Sequence, residues 1–203
     1  MTLTLTFISL VIASTMIRLW LAGRHIRHVQ HHRNHVPAAF SASIALDAHQ
    51  KAADYTAAKS KLGLSEGLVQ TLLLLTLTLG GGLQSIDNFW QQLFADQAII
   101  RGVAVICSAM LLTSLIDLPF DYYKTFVIDE KFGFNKMTWK LWLSDSVKGL
   151  LLGLVLGVPL IAMVLWLMQA GGAYWWLWTW CALVFWQLFL MAIRSEERRV
   201  GKE

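Results

Sequence analysis

The chain has 203 residues, of which 56% are apolar and 15% charged, with three prolines and a mean hydropathy of +0.53. One soluble core of this length absorbs less apolar surface than that, and the apolar residues run in blocks about as long as a bilayer is thick, so the composition excludes a disordered chain, a disulfide-stapled secreted scaffold and a cytosolic enzyme. The formal charge of +4 does not indicate a nucleic-acid partner, because the basic residues gather between the apolar blocks, where a membrane protein carries its orientation signal.

Five stretches are long enough to span a bilayer, which predicts an all-α, polytopic transmembrane helix bundle with helical cytoplasmic loops. The first covers about 2–21 and contains Arg18, whose stem can snorkel to the interface. It lacks a basic leader and a small-residue cleavage site, and is expected to be a retained helix rather than a signal peptide. The second, 64–83, ends at Gly80-Gly81-Gly82, residues tolerated in membrane helices and suited to close helix packing. The third covers 98–118, up to Asp117-Leu118-Pro119. The fourth, 147–168, carries Gly149, Gly153 and Gly157 on one face, which predicts a second helix packed against that stripe. The fifth, 173–193, opens on Trp175, Trp176, Trp178 and Trp180, an indole cluster suited to the headgroup zone. Cys107 and Cys181 lie inside apolar blocks without neighbouring ligands and read as small packing residues.

The basic residues alternate between connections. Residues 23–63 hold Arg24, Arg27, Arg33, Lys51, Lys59 and Lys61, and residues 119–145 hold Lys124, Lys131, Lys136 and Lys140, whereas 84–97 and 169–172 hold none. By the positive-inside rule both long basic segments face the cytoplasm and the N-terminus lies outside. In the first of them, the helix of the first span is expected to continue toward Val36. A new helix is expected to start at Pro37 and run to about Lys61. All six histidines fall here: His25, His28, His31, His32, His35 and His49. The spacing of His28 and His32 suits a metal clamp on a helix. No carboxylate or thiolate stands by to support the rings, so a headgroup-facing basic stripe is the preferred reading.

The second basic segment, residues 118–136, mixes aromatic and charged residues around Gly133-Phe134-Asn135 and predicts an ordered loop. Its Leu118-Pro119, the aromatic run after it, Thr125-Phe126-Val127-Ile128, Glu130-Lys131 and Gly133-Phe134-Asn135-Lys136 resemble the signature of the CAAX prenyl protease 1 family of membrane zinc metallopeptidases. Residues 36–40 and 49–59 are similar to the first cytoplasmic loop of bacterial members. The resemblance implies an N-terminal membrane domain over 1–193, after which the charged tail 194–203 departs from the family pattern. That departure is expected of a truncated reading frame, and the tail is expected to lie outside the fold.

The family's peptidase part binds zinc through His-Glu-x-x-His and a downstream glutamate, with the first glutamate activating water. This chain has no His-Glu pair and no histidine after His49, so no catalytic residue and no metal ligand carries over. The family-motif residues that do map are Pro119, Glu130, Gly133, Phe134 and Asn135, expected to fix the loop against the missing C-terminal peptidase domain. Without that domain, the loop is expected to be mobile. The resemblance implies that the parent is an enzyme and this chain alone inactive. The parent would use zinc to cleave peptide bonds in prenylated or other membrane-associated proteins, in a bacterial inner membrane. Its partners are the lipid bilayer, the peptidase domain and a peptide substrate, with no nucleic acid. The alternative is a small non-enzymatic membrane protein whose His-rich helix binds metal.

Overall fold

The computed structural model describes residues 2–37, 40 and 42–200, with side chains as far as 191. Among these residues there are helices and turns and no strand. The helices are α1 (Thr2–His31), α2 (Leu46–Thr78), α3 (Gly82–Leu93), α4 (Ala98–Tyr123, prolonged by a π-helical turn, Lys124–Asp129), α5 (Trp139–Ala170) and α6 (Trp175–Val200), the last preceded by a 3-10 turn at Gly172–Tyr174.

By length and composition α1, α4 with its π turn, and α5 can each cross a membrane, and no residue in their apolar windows is buried. Apolar side chains that find no protein core need another apolar solvent, and a helix that satisfies its own backbone can enter lipid. A fourth span is available if α2 and α3, which meet at a 53° bend, are taken together. The fifth predicted span lies on α6, whose described side chains stop at 191. The expected domain boundary at 193 and the tail 194–203 therefore fall outside the residues whose side chains are described.

The chain divides into two compact units. The first comprises residues 1–85 and 109–142. In it α1 and α2 pack antiparallel: Leu10 and Leu74 line one shared cleft, Arg18 and Gly63 another, so numbers rise along one helix as they fall along the other. Beyond the spans, the Arg33 guanidinium donates from Nε and Nη2 to the two Asp54 carboxylate oxygens at 2.7 and 2.8 Å. This fork-to-fork geometry fixes the corner between the helices. The first unit also holds the buried core found among the described residues, which is small: Ala53 and Ala57 from α2, Ile128 from the π turn and Phe132 just after it.

The second unit comprises residues 86–108 and 143–203. Here the connection after the second span is mostly helical. From α3, Trp90 donates its indole N–H to Ser108 Oγ at 2.9 Å, and Asp87 pairs with Arg101 at 3.3 Å. Gly102 of α4 takes α5 at close range: a Cβ there would sit 2.8 Å from Leu165 Cδ1.

Several expectations are corrected. The new helix does not begin at Pro37 but at Leu46, and it does not stop near Lys61: α2 runs unbroken from the basic segment into the membrane as far as Thr78. Alanine, lysine and glutamate favour helix as much as leucine does, so composition changes along this stretch while the backbone need not. The glycine triplet breaks the helix instead of packing it. Gly81 has φ 76°, a left-handed conformation that favours glycine, and no described atom comes within 4 Å of its missing Cβ. Likewise no described atom lies within 4 Å of the Cβ positions of Gly149, Gly153 or Gly157. Among the described residues, the glycine in close contact with another helix is Gly102.

Candidate functional site

The sequence places its family-motif residues in a loop, but residues 118–131 are helical. Pro119 sits inside α4, where its missing N–H and its ring would disturb a soluble helix but are accommodated at a membrane helix end. The π turn beyond it inserts one extra residue per turn, a local widening that re-aims side chains downstream. Here it turns Ile128 and Phe132 inward, to pack with Ala53 and Ala57 as the buried core.

Glu130, Gly133, Phe134 and Asn135 together form the stop of this helix. Phe134 N–H donates to the Asp129 carbonyl at 2.8 Å and Gly133 N–H to the Glu130 carbonyl at 2.9 Å, the paired bonds of a Schellman cap. Such a cap needs a left-handed residue after the helix, and Gly133 supplies it at φ 71°. Asn135 closes the turn with both ends of its amide. Its Nδ2 donates to Glu130 Oε2 at 2.9 Å, and its Oδ1 accepts the Met137 N–H at 2.7 Å. These four motif residues are thus brought together, while Pro119 stands apart on the preceding turns.

The capped turn docks on α2 around Tyr55. The Tyr55 hydroxyl donates to Asp129 Oδ1 at 2.9 Å, and its ring meets Phe132 and Phe134 edge-on at 5.4 and 4.9 Å between centroids. Lys51 and Lys59, one turn before and one after, place ammonium groups over the Phe134 and Tyr55 rings at 5.4 and 5.2 Å. The hydrogen bond to the Asp129 carboxylate pushes the Tyr55 phenol above its ordinary range, while the Arg33 guanidinium holds the Asp54 carboxyl below the usual carboxylate range. The segment therefore has a docking surface on α2, within this chain. Lys51, Tyr55 and Lys59 lie within the 49–59 stretch that carries the family resemblance, and their four-residue spacing marks one helix face.

Beside this cluster a cleft of about 630 Å³ runs between α2 and the end of α4, walled by Leu62, Phe120 and Val127 and flanked by Lys61 and Lys131. A smaller one, about 380 Å³, lies between α1 and α2 and is lined in part by Thr15, Arg18 and Gln70. Gln70 also donates to Asp117 Oδ1 of α4 at 3.2 Å.

The histidines do not assemble a metal site. His28 and His32 stack with centroids 4.3 Å apart. However, α1 ends at His31, so His32 and His35 leave the expected stripe. The His32 Nδ1–H donates to the His28 carbonyl at 2.9 Å and the His49 Nε2–H to the His32 carbonyl at 3.1 Å, which uses a nitrogen of each ring. Among the described residues no three His, Cys, Asp or Glu side chains converge where a metal could be held. The described residues therefore do not fit the zinc that the family resemblance implies, and no chemical step is derived through it.

A family model described as CAAX prenyl protease N-terminal, five membrane helices, matches residues 25–196. A CAAX prenyl protease 1 homolog of Oryza sativa subsp. japonica is 38% identical over 99 residues, covering 49% of this chain and 23% of that protein. One from Caenorhabditis elegans is 29% identical over 190 residues, covering 92% and 42% respectively. In three dimensions the chain is similar to the crystal structure of S. mikatae Ste24p, with a TM-score of 0.83 at 24% identity over 91% of this chain and 44% of the other. The chain thus spans less than half the length of these relatives.

Proposed function

Because the chain belongs to the CAAX prenyl protease N-terminal family, and is an integral membrane protein of that family, we propose that it forms the membrane-embedded half of a zinc-dependent metalloendopeptidase. The peptidase half, with its His-Glu-x-x-His, would be supplied by sequence beyond this chain. The observation that supports this reading best is a pairing. The family model covers residues 25–196, yet no His-Glu pair occurs anywhere in the chain.

In this reading the chain contributes placement. Its spans hold the peptidase half at the bilayer, and the capped turn of Glu130, Gly133, Phe134 and Asn135 sets the register in which the chain leaves α4. Pro119 belongs to the same device, at the helix end that the π turn re-aims. The substrate is a peptide bond in a prenylated or other membrane-associated protein. The setting is a bacterial inner membrane, with the N-terminus outside and both basic segments in the cytoplasm, in keeping with the alternation of Lys and Arg. A non-enzymatic, metal-handling protein is the weaker reading, since nitrogens of His32 and His49 are committed to carbonyls.

Amide hydrolysis by this route needs a metal-activated water and a carboxylate to take its proton. The purified chain should therefore show no chelator-sensitive peptidase activity. Co-expression with the peptidase half of a close relative should produce zinc-dependent cleavage. Chelator-sensitive cleavage by the chain alone would overturn this division of labour, as would a co-expressed pair that assembles but does not cleave.

A further inference from the structure

Helix α3 meets α4 at two points of different depth. Asp87 pairs with Arg101 at 3.3 Å, and Trp90 donates its indole N–H to Ser108 Oγ at 2.9 Å. Ser108 lies about 10 Å beyond Arg101 along a helix long and apolar enough to cross a membrane. Asp87 and Trp90, by contrast, are one turn apart on α3. The chain passes from α3 to α4 through residues 94–97, so an α3 lying alongside α4 would run antiparallel to it and set Trp90 nearer the Ala98 end than Asp87. The reverse is found. The difference in depth therefore comes from roll: the Asp87 edge of α3 faces the Ala98 end of α4, and the Trp90 edge faces the interior of the span.

The side chains of α3 follow the same roll. At about 100° per residue, Phe89 and Leu93 fall on the Trp90 side, and Asn88 and Gln91 on the Asp87 side. Phe89 and Leu93 are each 56% exposed. The Trp90 ring joins them to the deeper contact, meeting Phe89 edge-on at 5.1 Å and stacking with Phe94 at 5.9 Å between centroids. A helix standing upright in lipid would turn its amide edge toward hydrocarbon as well, where polar groups find no water. Lying across α4, the helix keeps its amides toward water and its exposed apolar edge toward the acyl chains.

From this we infer that α3 is an in-plane lipid anchor, seated in the bilayer interface at the Ala98 end of α4 with Phe89 and Leu93 inserted among acyl chains. The occupant of the exposed edge is bilayer hydrocarbon, because that edge faces the depth at which α4 presents an apolar window with no buried residue. Residues 84–97 contain no Lys or Arg, so the anchor draws on apolar burial and not on anionic headgroups.

The test places a nitroxide on single cysteines at Phe89, Leu93, Gln91 and Gln92 of the full chain, with Cys107→Ser and Cys181→Ser, in phosphatidylcholine vesicles. Collisions with oxygen report lipid and collisions with a neutral nickel chelate report water. Labels at Phe89 and Leu93 should be several-fold less accessible to nickel than those at Gln91 and Gln92, at a depth of about 5–10 Å below the headgroups. Replacing part of the phosphatidylcholine by phosphatidylglycerol should leave this contrast unchanged. Helix content by circular dichroism must match the parent chain in each variant. Trp90→Phe, which carries no label and keeps an aromatic ring, gives a second reading: the fluorescence it removes should be quenched more by lipids brominated near the carbonyl end of the chain than by aqueous acrylamide. Nickel access at all four positions would overturn the anchor in favour of a surface loop, and exclusion of nickel with oxygen access at all four would make α3 an upright part of a span. Labels at Phe89 and Leu93 shielded from both reagents until the protein is diluted in lipid would reassign the edge to a second copy of the chain. A contrast seen only with phosphatidylglycerol, or acrylamide as the better quencher of Trp90, would also defeat the proposal.

Discussion

Tyr55 joins α2 to the capped turn through one hydrogen bond to a carboxylate and two edge-on aromatic contacts, while Lys59 of the same helix lies over its ring. The neutral phenol is the form that donates to Asp129, so folding raises its pKa. The linked stability is fully present below the ordinary phenol pKa of about 10 and is lost as pH rises through the raised value. A spectrophotometric titration should show a late-ionising phenol that Tyr55→Phe removes. The same variant should lower stability to thermal unfolding by about 1 kcal/mol, the usual scale for a half-exposed bond to a charged acceptor. A titration unchanged by Tyr55→Phe would mean that the bond to Asp129 does not hold the phenol neutral. At this scale the sequence is half legible. The spacing of Lys51, Tyr55 and Lys59 marks one helix face, but Asp129 lies 74 residues away, and no local periodicity names a partner at that distance. The motif residues can be located without their roles, since a Schellman cap is defined by backbone bonds to Asp129 and Glu130 that only the folded turn displays.

The elements show where reading by composition fails. Spans are legible because twenty apolar residues in a row have few alternatives. Their ends are not, because helix does not stop where hydropathy does: α2 carries the same backbone through Lys51, Lys59 and Lys61 into the apolar stretch. Pro119 and the charges after it suggest a loop, yet the chain keeps helical hydrogen bonding and absorbs the irregularity in the π turn at Lys124–Asp129. A π turn is in effect a one-residue insertion in an α-helix. Deleting Val127, which is 41% exposed and outside the small core, should restore regular α-helix and rotate the downstream residues by about 100°. Asp129 would then leave Tyr55. Circular dichroism should report unchanged helix content while the late phenol of the titration disappears. Survival of that component in the deletion variant would mean that the widened turn does not set the register of the dock.

For the whole molecule the governing quantity is the asymmetry of charge across the bilayer. Fourteen of the seventeen basic residues fall in the two basic segments and the tail, and the remaining three, Arg18, Arg101 and Lys148, lie within or at the edge of spans. Arg101 is paired with Asp87 and Lys148 with Asp145, so neither adds a free cation to its side. The proposed orientation thus has a net positive face at the base of α2 and the end of α4 and a face without net basic charge around α3 and the α5–α6 turn. Single cysteines in a Cys107→Ser/Cys181→Ser background test it directly. Asn88 on α3 and Gln169 at the end of α5 are both exposed, and Gln169 avoids the strain of placing a side chain at Gly172, whose φ is 55°. Both should react with an impermeant thiol reagent on intact cells, whereas cysteines at the exposed positions Ala52 and Lys136 should react only after permeabilisation. Labelling of Ala52→Cys and Lys136→Cys from outside, with Asn88→Cys and Gln169→Cys protected, would invert the protein. The capped turn, the cleft and any attached peptidase half would then stand on the opposite side of the membrane from the one proposed. Labelling of Ala52→Cys but not Lys136→Cys would break the assignment differently. The two basic segments would lie on opposite faces, which the contact of Tyr55 with Asp129 forbids in a folded chain, because a hydrogen bond of 2.9 Å cannot reach across a bilayer core of about 30 Å.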